Sequence, residues 1–200
     1  MKNISILGST GSIGTQTIDV IQSLESNFNV KYLSTFSNIN LLLKQVELLN
    51  PNAICIADDN LIDKLNISLE GVEILYGRDG LLDLASRDDI DLMVNGLVGS
   101  SGMQPTVNAI KSGVDIALSN KESLVMAGDY INNLLLENNV NLYPVDSEHS
   151  AIWQCLVGEN MNQVKRLILT GSGGPFRTLE QSKFSTITKK EALQHPNWSM

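Results

Sequence analysis

Short apolar segments alternate along the chain with longer segments in which apolar residues recur at helical spacing. The first pattern is typical of buried strands and the second of amphipathic helices. The predicted strands are residues 4–7, 30–35, 53–57, 73–75, 92–97, 115–119, 141–145 and 164–170. Because helical segments separate them, we expect an α/β fold with a doubly wound parallel sheet and right-handed crossovers.

Capping signals define the ends of several predicted helices. Asn38 is suited to cap a helix over residues 39–49, and Pro51 closes the turn that follows it. The longest helical pattern covers residues 121–139 and contains Gly128, where we expect an interruption. Each of these helices begins a few residues after a predicted strand, as a βαβ fold requires.

The pattern of alternation changes after about residue 145. Residues 171–175 are too rich in glycine for a strand or a helix, and Thr188 with Glu191 fits a capping box. We therefore predict a first domain over residues 1–145 and the beginning of a second, truncated α+β domain over residues 146–200.

The composition restricts the partners of the chain. Its 14 Lys and Arg against 22 Asp and Glu give a net charge of −8, and no basic stripe is present. This distribution argues against nucleic acid as a partner, and no apolar run is long enough for a membrane span. Cys55 and Cys155 lie in apolar segments, so we expect buried, reduced thiols in a cytoplasmic protein. A strand at residue 4 leaves no room for a signal peptide before it.

A glycine-rich turn follows the first predicted strand. Gly8, Gly11 and Gly14 separate that strand from a helical segment beginning near Thr15. In a Rossmann-like fold, a turn of this kind lets the backbone approach a pyrophosphate, which the N–H groups of the following helix then bind. The spacing differs from the usual G-x-G-x-x-G, so an ordinary helix start with turn glycines is the alternative.

The end of the second predicted strand bears on the choice of dinucleotide. Folds that prefer NAD usually carry a carboxylate at this position, which binds the ribose 2′-OH. Residues 33–38 contain no carboxylate but include Ser37 and Asn38, which favours NADP. No Arg or Lys is present there, and Asn38 could serve only as a helix cap.

Charged residues follow two later strands. Lys121 comes after the strand at 115–119 and could neutralise a phosphate, or it could simply lie at an exposed helix start. Asp146 and Glu148 follow the strand at 141–145. In an extended segment both carboxylates would project to one side and could bind Mg²⁺ or Mn²⁺. The alternative is a helix start, with His149 as an ordinary structural histidine.

Two loops near the end of the chain complete the candidate residues. Residues 171–174, which include Ser172, could form an anion-binding nest or a simple turn. Residues 195–200 combine a histidine, an indole and a thioether. That segment could close over a substrate or pack as a surface loop.

Taken together, five motifs closely resemble the 1-deoxy-D-xylulose 5-phosphate reductoisomerase family. They are residues 8–14, 120–125, 144–149, 169–176 and 195–200. The resemblance implies a Rossmann-like NADPH-binding domain and the beginning of a catalytic domain. It also implies NADPH-dependent conversion of 1-deoxy-D-xylulose 5-phosphate to 2-C-methyl-D-erythritol 4-phosphate in the non-mevalonate isoprenoid route.

The same resemblance implies roles for individual residues. The catalytic residues would be Lys121, Asp146, Glu148 and His195. The substrate would contact Lys121, Ser147, Glu148, Ser172, His195 and Trp198. Asp146 and Glu148 would bind Mn²⁺ or Mg²⁺, with Co²⁺ also possible. Together with the residues of the glycine turn and the second strand, the predicted cofactor site comprises Gly8, Thr10, Gly11, Ser12, Ile13, Gly14, Ser37, Asn38, Asn120, Glu122 and Met200.

The chain departs from the family pattern in two respects. Phe36 and Ser37 stand where relatives often carry a glycine and a basic residue. Family members are also longer, so we expect a missing C-terminal half that supplies the third metal ligand and completes the phosphate site. Homodimerisation is expected at full length, and this part alone is expected to be inactive.

Two alternative functions remain open at this point. The chain could be a nucleotide-binding module without catalysis. It could also be an aspartate-semialdehyde-type dehydrogenase, which shares a similar glycine turn. That enzyme needs a nucleophilic cysteine, and Cys155 lies in a helical segment without a plausible base beside it.

Overall fold

A computed structural model describes residues 1–24, 27–64, 68–169 and 174–194. Contacts divide the chain into two units, Met1–Val157 and Gly158–Met200. The predicted boundary after residue 145 stays a prediction.

The first unit alternates strands and helices as the sequence predicts. Its strands are β1 (Lys2–Leu7), β2 (Phe28–Thr35), β3 (Ala53–Ile56), β4 (Glu73–Tyr76), β5 (Leu92–Asn95), β6 (Asp115–Leu118) and β7 (Leu142–Pro144). Its helices are α1 (Ser12–Ser23), α2 (Ile39–Leu49), α3 (Gly77–Ala85), α4 (Met103–Lys111), α5 (Lys121–Asn138) and α6 (Ser147–Leu156). Short 3₁₀ turns at Asp59–Lys64 and Gly99–Gly102 join them.

The seven strands form one parallel sheet in the order β4-β3-β2-β1-β5-β6-β7. The order reverses on either side of β1, which makes the sheet doubly wound. Each of these strands matches a predicted one to within two residues at either end. Because all strands run the same way, their carboxyl ends meet at one edge, where α/β proteins bind ligands.

Helices cover both faces of the sheet, which explains the continuous apolar runs. Along β3, Ile54 and Ile56 pack in a cluster with α1 and α2. The alternate residues Ala53 and Cys55 pack in a second cluster with α3, α4 and α5. Successive strand side chains point to opposite faces, so a strand between two helical layers is apolar at most positions on both faces.

Helix ends follow the capping signals. The Asn38 side chain accepts a hydrogen bond from Leu41 N at 3.3 Å, which confirms the predicted cap of α2. The predicted interruption of α5 is present next to Gly128, because Ala127 has φ −146° and ψ 32°.

The second unit differs from the prediction at residues 164–169. These residues form no regular secondary structure, so the predicted strand at 164–170 is wrong for all of its described residues. Leu167, Ile168 and Leu169 are exposed. A strand needs a neighbour for its hydrogen bonds, and the described part of this unit contains no other strand. Its short helix α7 (Lys189–Ala192) begins with the predicted capping box of Thr188 and Glu191.

The two cysteines differ in environment. Cys55 is buried as expected, and burial raises the pKa of its thiol to about 12. Cys155 is exposed, so the prediction that both thiols are buried is wrong. The reason is that α6 follows the edge strand β7 and buries none of its residues. Within the described ranges, no helix has the length and hydropathy needed to cross a membrane.

A polar cluster ties the loop before β5 to β2. Asp89 accepts hydrogen bonds from Lys31 Nζ at 2.6 Å and from Tyr32 Oη at 2.8 Å. Arg87 lies over the Tyr32 ring, 4.9 Å from its centroid. Burial raises the pKa of Asp89, but the hydrogen bonds from Lys31 and Tyr32 outweigh it and lower that pKa overall.

We predict that Asp89→Asn lowers the free energy of unfolding by about 1 kcal/mol at pH 7, since it removes the charge from a half-exposed pair. A lowered folded-state pKa stabilises the protein above the unfolded value of about 3.9, and that stabilisation is lost as the pH falls through the folded value. Urea unfolding should therefore give a constant difference from wild type above about pH 5 and a shrinking one below about pH 4. The exposed neighbour Asp88 provides the control substitution Asp88→Asn. A difference that stays constant to the lowest pH would contradict this assignment.

Candidate functional site

The glycine turn between β1 and α1 depends on glycine at two positions. Gly8 has φ +78°, and a Cβ on it would lie 3.1 Å from Gly96 O. A Cβ on Gly14 would overlap the backbone of Gly8 and Ser9. Gly11 is the N-cap of α1, and no side chain caps that helix. The first-turn N–H groups of α1 thus remain accessible to an anionic ligand.

A buried hydrogen-bond network fixes this turn to β2 and α2. Ser9 N donates to Ser34 O at 2.8 Å, and Ser9 Oγ donates to Gln45 Oε1 at 2.7 Å. Gln45 Nε2 donates back to Ser9 O at 2.8 Å. Thr10 Oγ1 and Thr35 Oγ1 lie 2.6 Å apart. Gln45 is a buried polar residue on the otherwise apolar face of α2, and that position is the one signal of its role in the sequence.

A cavity of about 480 Å³ opens at the carboxyl ends of β1, β2 and β5. Among the predicted cofactor residues, those lining it are Gly8, Thr10, Gly11, Ser37 and Asn38. The cavity also contacts Arg78, which belongs to no recognisable motif in the sequence. Asn38 therefore lines the cavity in addition to capping α2. Ser12, Ile13 and Gly14 lie in the first turn of α1, beside this cavity.

Asn120 connects the cavity wall to α5. It is 1% exposed, and its Nδ2 donates to Leu97 O at 2.9 Å and to Gly99 O at 2.8 Å. Its Oδ1 accepts from Ser123 N at 3.0 Å and caps α5. Asn120 thus holds the loop after β5, while Glu122 lies exposed on the first turn of α5.

A charged cluster lies at the ends of β6 and β7. Lys121 Nζ donates to Asp146 Oδ2 at 2.8 Å, and His149 Nδ1 lies 2.7 Å from Asp146 Oδ1. The hydrogen bond from Lys121 lowers the pKa of Asp146 to about 2, and the same bond raises the pKa of Lys121. Glu148 is exposed, and its Oε2 accepts from Ser147 Oγ at 2.7 Å.

Of the two arrangements left open for Asp146 and Glu148, the structure shows the helix start and not the extended segment. Asp146 is the N-cap of α6 but makes no side-chain capping bond, and Glu148 is already in the first turn of that helix. Lys121 and His149 engage both carboxylate oxygens of Asp146, which explains why it does not cap. Within the described ranges, no three His, Cys, Asp or Glu side chains are grouped as a metal site would require.

A second cavity, of about 360 Å³, adjoins this cluster. Lys121, Asp146 and His149 line it together with apolar side chains from β6, β7, α5 and α6. One of these is Trp153, whose ring meets Tyr143 edge to face at 6.2 Å. The remaining predicted residues, Ser172, His195, Trp198 and Met200, lie outside the described residues.

Comparison with known proteins identifies the family. A family model described as 1-deoxy-D-xylulose 5-phosphate reductoisomerase matches residues 4–128. The chain belongs to this family. A model of the reductoisomerase C-terminal domain matches residues 142–200. Membership of the reductoisomerase family rules out the aspartate-semialdehyde-type dehydrogenase considered above.

The similarity extends over the whole chain. The reductoisomerase of Macrococcus caseolyticus is 46% identical over 200 residues, which are 100% of this chain and 53% of that protein. The Zymomonas mobilis enzyme in complex with NADPH has a TM-score of 0.89 and 38% identity, over 98% of this chain and 52% of that one. A DOX-P reductoisomerase in complex with NADPH, fosmidomycin and magnesium has a TM-score of 0.84 and 35% identity, over 100% of this chain and 52% of that one. These structures confirm the predicted Rossmann-like fold, and the chain spans about half the length of its curated relatives.

We predict that Gly14→Ala lowers the free energy of unfolding by about 1–3 kcal/mol. The added methyl group would overlap backbone atoms that cannot move independently. Gly128→Ala is the matched control, because a Cβ there has no atom within 4 Å. That control should be neutral or stabilising by up to about 1 kcal/mol. Thermal unfolding of both variants measures the difference, and equal stabilities would show that the turn is more adaptable than its geometry indicates.

Proposed function

We propose that this chain forms the NADPH-binding part and the beginning of the catalytic part of a 1-deoxy-D-xylulose 5-phosphate reductoisomerase. The full-length protein converts that substrate to 2-C-methyl-D-erythritol 4-phosphate in the cytoplasm, using NADPH and a divalent metal, as a homodimer. Nucleic acid and membrane are not partners. The first domain comprises residues 1–145, and residues 146–200 begin the catalytic domain.

The observation that carries the proposal is the position of the two cavities. The cavity beside the glycine turn lies at the ends of β1, β2 and β5, and the cavity beside Lys121 lies at the ends of β6 and β7. Both belong to the unit Met1–Val157 and to the same edge of one sheet. A dinucleotide site beside a charged site is the arrangement that a reductase of a phosphorylated substrate requires.

The first cavity suits the pyrophosphate and adenosine of NADPH. Gly8 and Gly11 line it without a side chain, Gly14 lets the turn pack closely on itself, and the uncapped start of α1 offers N–H donors. Thr10, Ser12 and Ile13 extend this surface, and Ser37 with Asn38 offers hydroxyl and amide groups to the ribose. NADPH, when bound, supplies the hydride. Asn120 and Glu122 at the start of α5 and Met200 complete the proposed cofactor contacts.

The charged cluster suits a metal and an anionic substrate. Asp146 and Glu148 provide the hard carboxylate oxygens that Mg²⁺ and Mn²⁺ prefer, and they would hold either ion, or Co²⁺. Such an ion polarises substrate oxygens. The ammonium group of Lys121, which donates to Asp146, would supply a positive charge that attracts the substrate phosphate. Ser147, Ser172, His195 and Trp198 are the further substrate contacts that we propose.

A second candidate function applies to the chain by itself. It covers 53% of the Macrococcus caseolyticus protein, so the isolated chain could bind NADPH without catalysing the reaction. Titrating the chain separately with NADPH and Mn²⁺ distinguishes the two possibilities, since turnover requires both ligands.

We predict that Gly11→Val weakens NADPH binding at least tenfold, a cost of about 1.4 kcal/mol. Gly11 lines the first cavity, and a Cβ on it meets only Gly8 O, at 3.3 Å, a close contact that a small shift of the turn would relieve, so we expect the variant to fold while the added side chain blocks the ligand. NADPH fluorescence measures the dissociation constant, and a smaller effect is expected for Gly11→Ala. Unchanged affinity in a folded Gly11→Val variant would refute the assignment of the turn.

In the full-length protein, Asp146→Asn should remove most metal-dependent activity and leave NADPH binding nearly unchanged. The substitution keeps the shape of the side chain but removes the charge that a divalent cation requires. Asp19→Asn is the matched control, because Asp19 is exposed on α1. Full activity of Asp146→Asn at low metal concentration would exclude Asp146 as a ligand.

A further inference from the structure

The first cavity contains one charged side chain. Around its wall the described residues are apolar, glycine or hydroxyl- and amide-bearing, except for Arg78. None of the described residues that line it carries a carboxylate. Arg78 lies in the first turn of α3. It is far along the chain from the glycine turn and from the end of β2. Arg78 is itself exposed, and a single cation beside a cavity that no described carboxylate lines favours an anionic group on the ligand.

No described acidic side chain forms an ion pair with Arg78. Its Nη2 donates to Gln104 Oε1 at 2.6 Å, a neutral acceptor on α4. Among the side chains that the structure describes, which exclude residues 62–64, no carboxylate lies within 4.0 Å of its guanidinium, whereas Arg87 pairs with both Asp83 and Glu73. One N–H group of Arg78 is therefore used for orientation, and the others remain for a ligand.

The cavity wall near the end of β2 identifies the group that Arg78 would meet. Thr35, Ser37 and Asn38 line the same cavity. In dinucleotide-binding folds, this strand end receives the adenosine ribose, and an arginine nearby accommodates a 2′-phosphate. Guanidinium binds phosphate oxygens in pairs, which an isolated hydroxyl or amide cannot do.

We propose that Arg78 is the residue through which this chain recognises the 2′-phosphate of NADPH and discriminates against NADH. The inference rests on the proposed function, since it assumes that the cavity holds the adenosine half of a dinucleotide. It explains how NADPH can be preferred although Phe36 and Ser37 provide no cation at the end of β2. Gln104 acts as a positioning residue that orients the guanidinium.

The test compares dissociation constants of NADPH and NADH for wild type and Arg78→Ala, measured by nucleotide fluorescence. We expect Arg78→Ala to weaken NADPH binding by about tenfold or more and to change NADH binding by less than about twofold. Arg78→Lys should retain part of the preference because it keeps the charge but loses the paired geometry. Competition by 2′,5′-ADP should be lost in Arg78→Ala while competition by 5′-AMP is retained. Lys111→Ala, at the far end of α4, controls for the loss of one positive charge.

Other outcomes overturn the inference. Equal weakening of NADPH and NADH would mean that Arg78 stacks on the adenine ring instead. Unchanged binding of both nucleotides by a folded Arg78→Ala variant would remove Arg78 from the site and leave the proposed function intact. Failure of wild type to bind either nucleotide would refute the proposed function and this inference with it.

Discussion

The hydrogen bonds between Ser9 and Gln45 fix the glycine turn that borders the first cavity, and the geometry of this edge of the sheet depends on them. Ser9 and Gln45 are 0% and 4% exposed, and each donates to the other. A buried polar group that loses its partner costs about 1–3 kcal/mol, so neither residue can move without the other. This pair fixes the position of the glycine turn against α2. The turn in its place fixes where the first residues of α1 lie. The first cavity therefore has walls whose positions are fixed before any ligand arrives.

The sheet could be predicted from the sequence because its physical cause is local. A strand covered by helices on both faces is apolar over most of its length, and β3 shows this directly, because all four of its residues are apolar and buried. Residues 164–169 have the same composition but form no strand. Pairing depends on a neighbouring strand, which the segment's own sequence does not reveal.

The candidate site could be predicted only where it follows a contiguous motif. The glycine turn is such a motif, because strand, turn and helix are adjacent in the chain. Arg78 and Gln45 belong to the site through the order of the strands, which brings the ends of β1 and β2 close to α2 and α3. The pairing of Lys121 with Asp146 likewise depends on β6 and β7 being neighbours. Such contacts follow from topology, and residue spacing does not encode them.

The two cavities are linked through consecutive residues of the chain. Asn120 donates to the carbonyls of Leu97 and Gly99 in the loop that borders the first cavity. The next residue, Lys121, donates to Asp146 beside the second cavity. Asn120 is buried and caps α5. A displacement of Lys121 would therefore strain the first turn of α5, which also supports the loop after β5. The ion pair of Lys121 and Asp146 therefore joins the start of α5, which supports the loop beside the first cavity, to the charged cluster beside the second cavity.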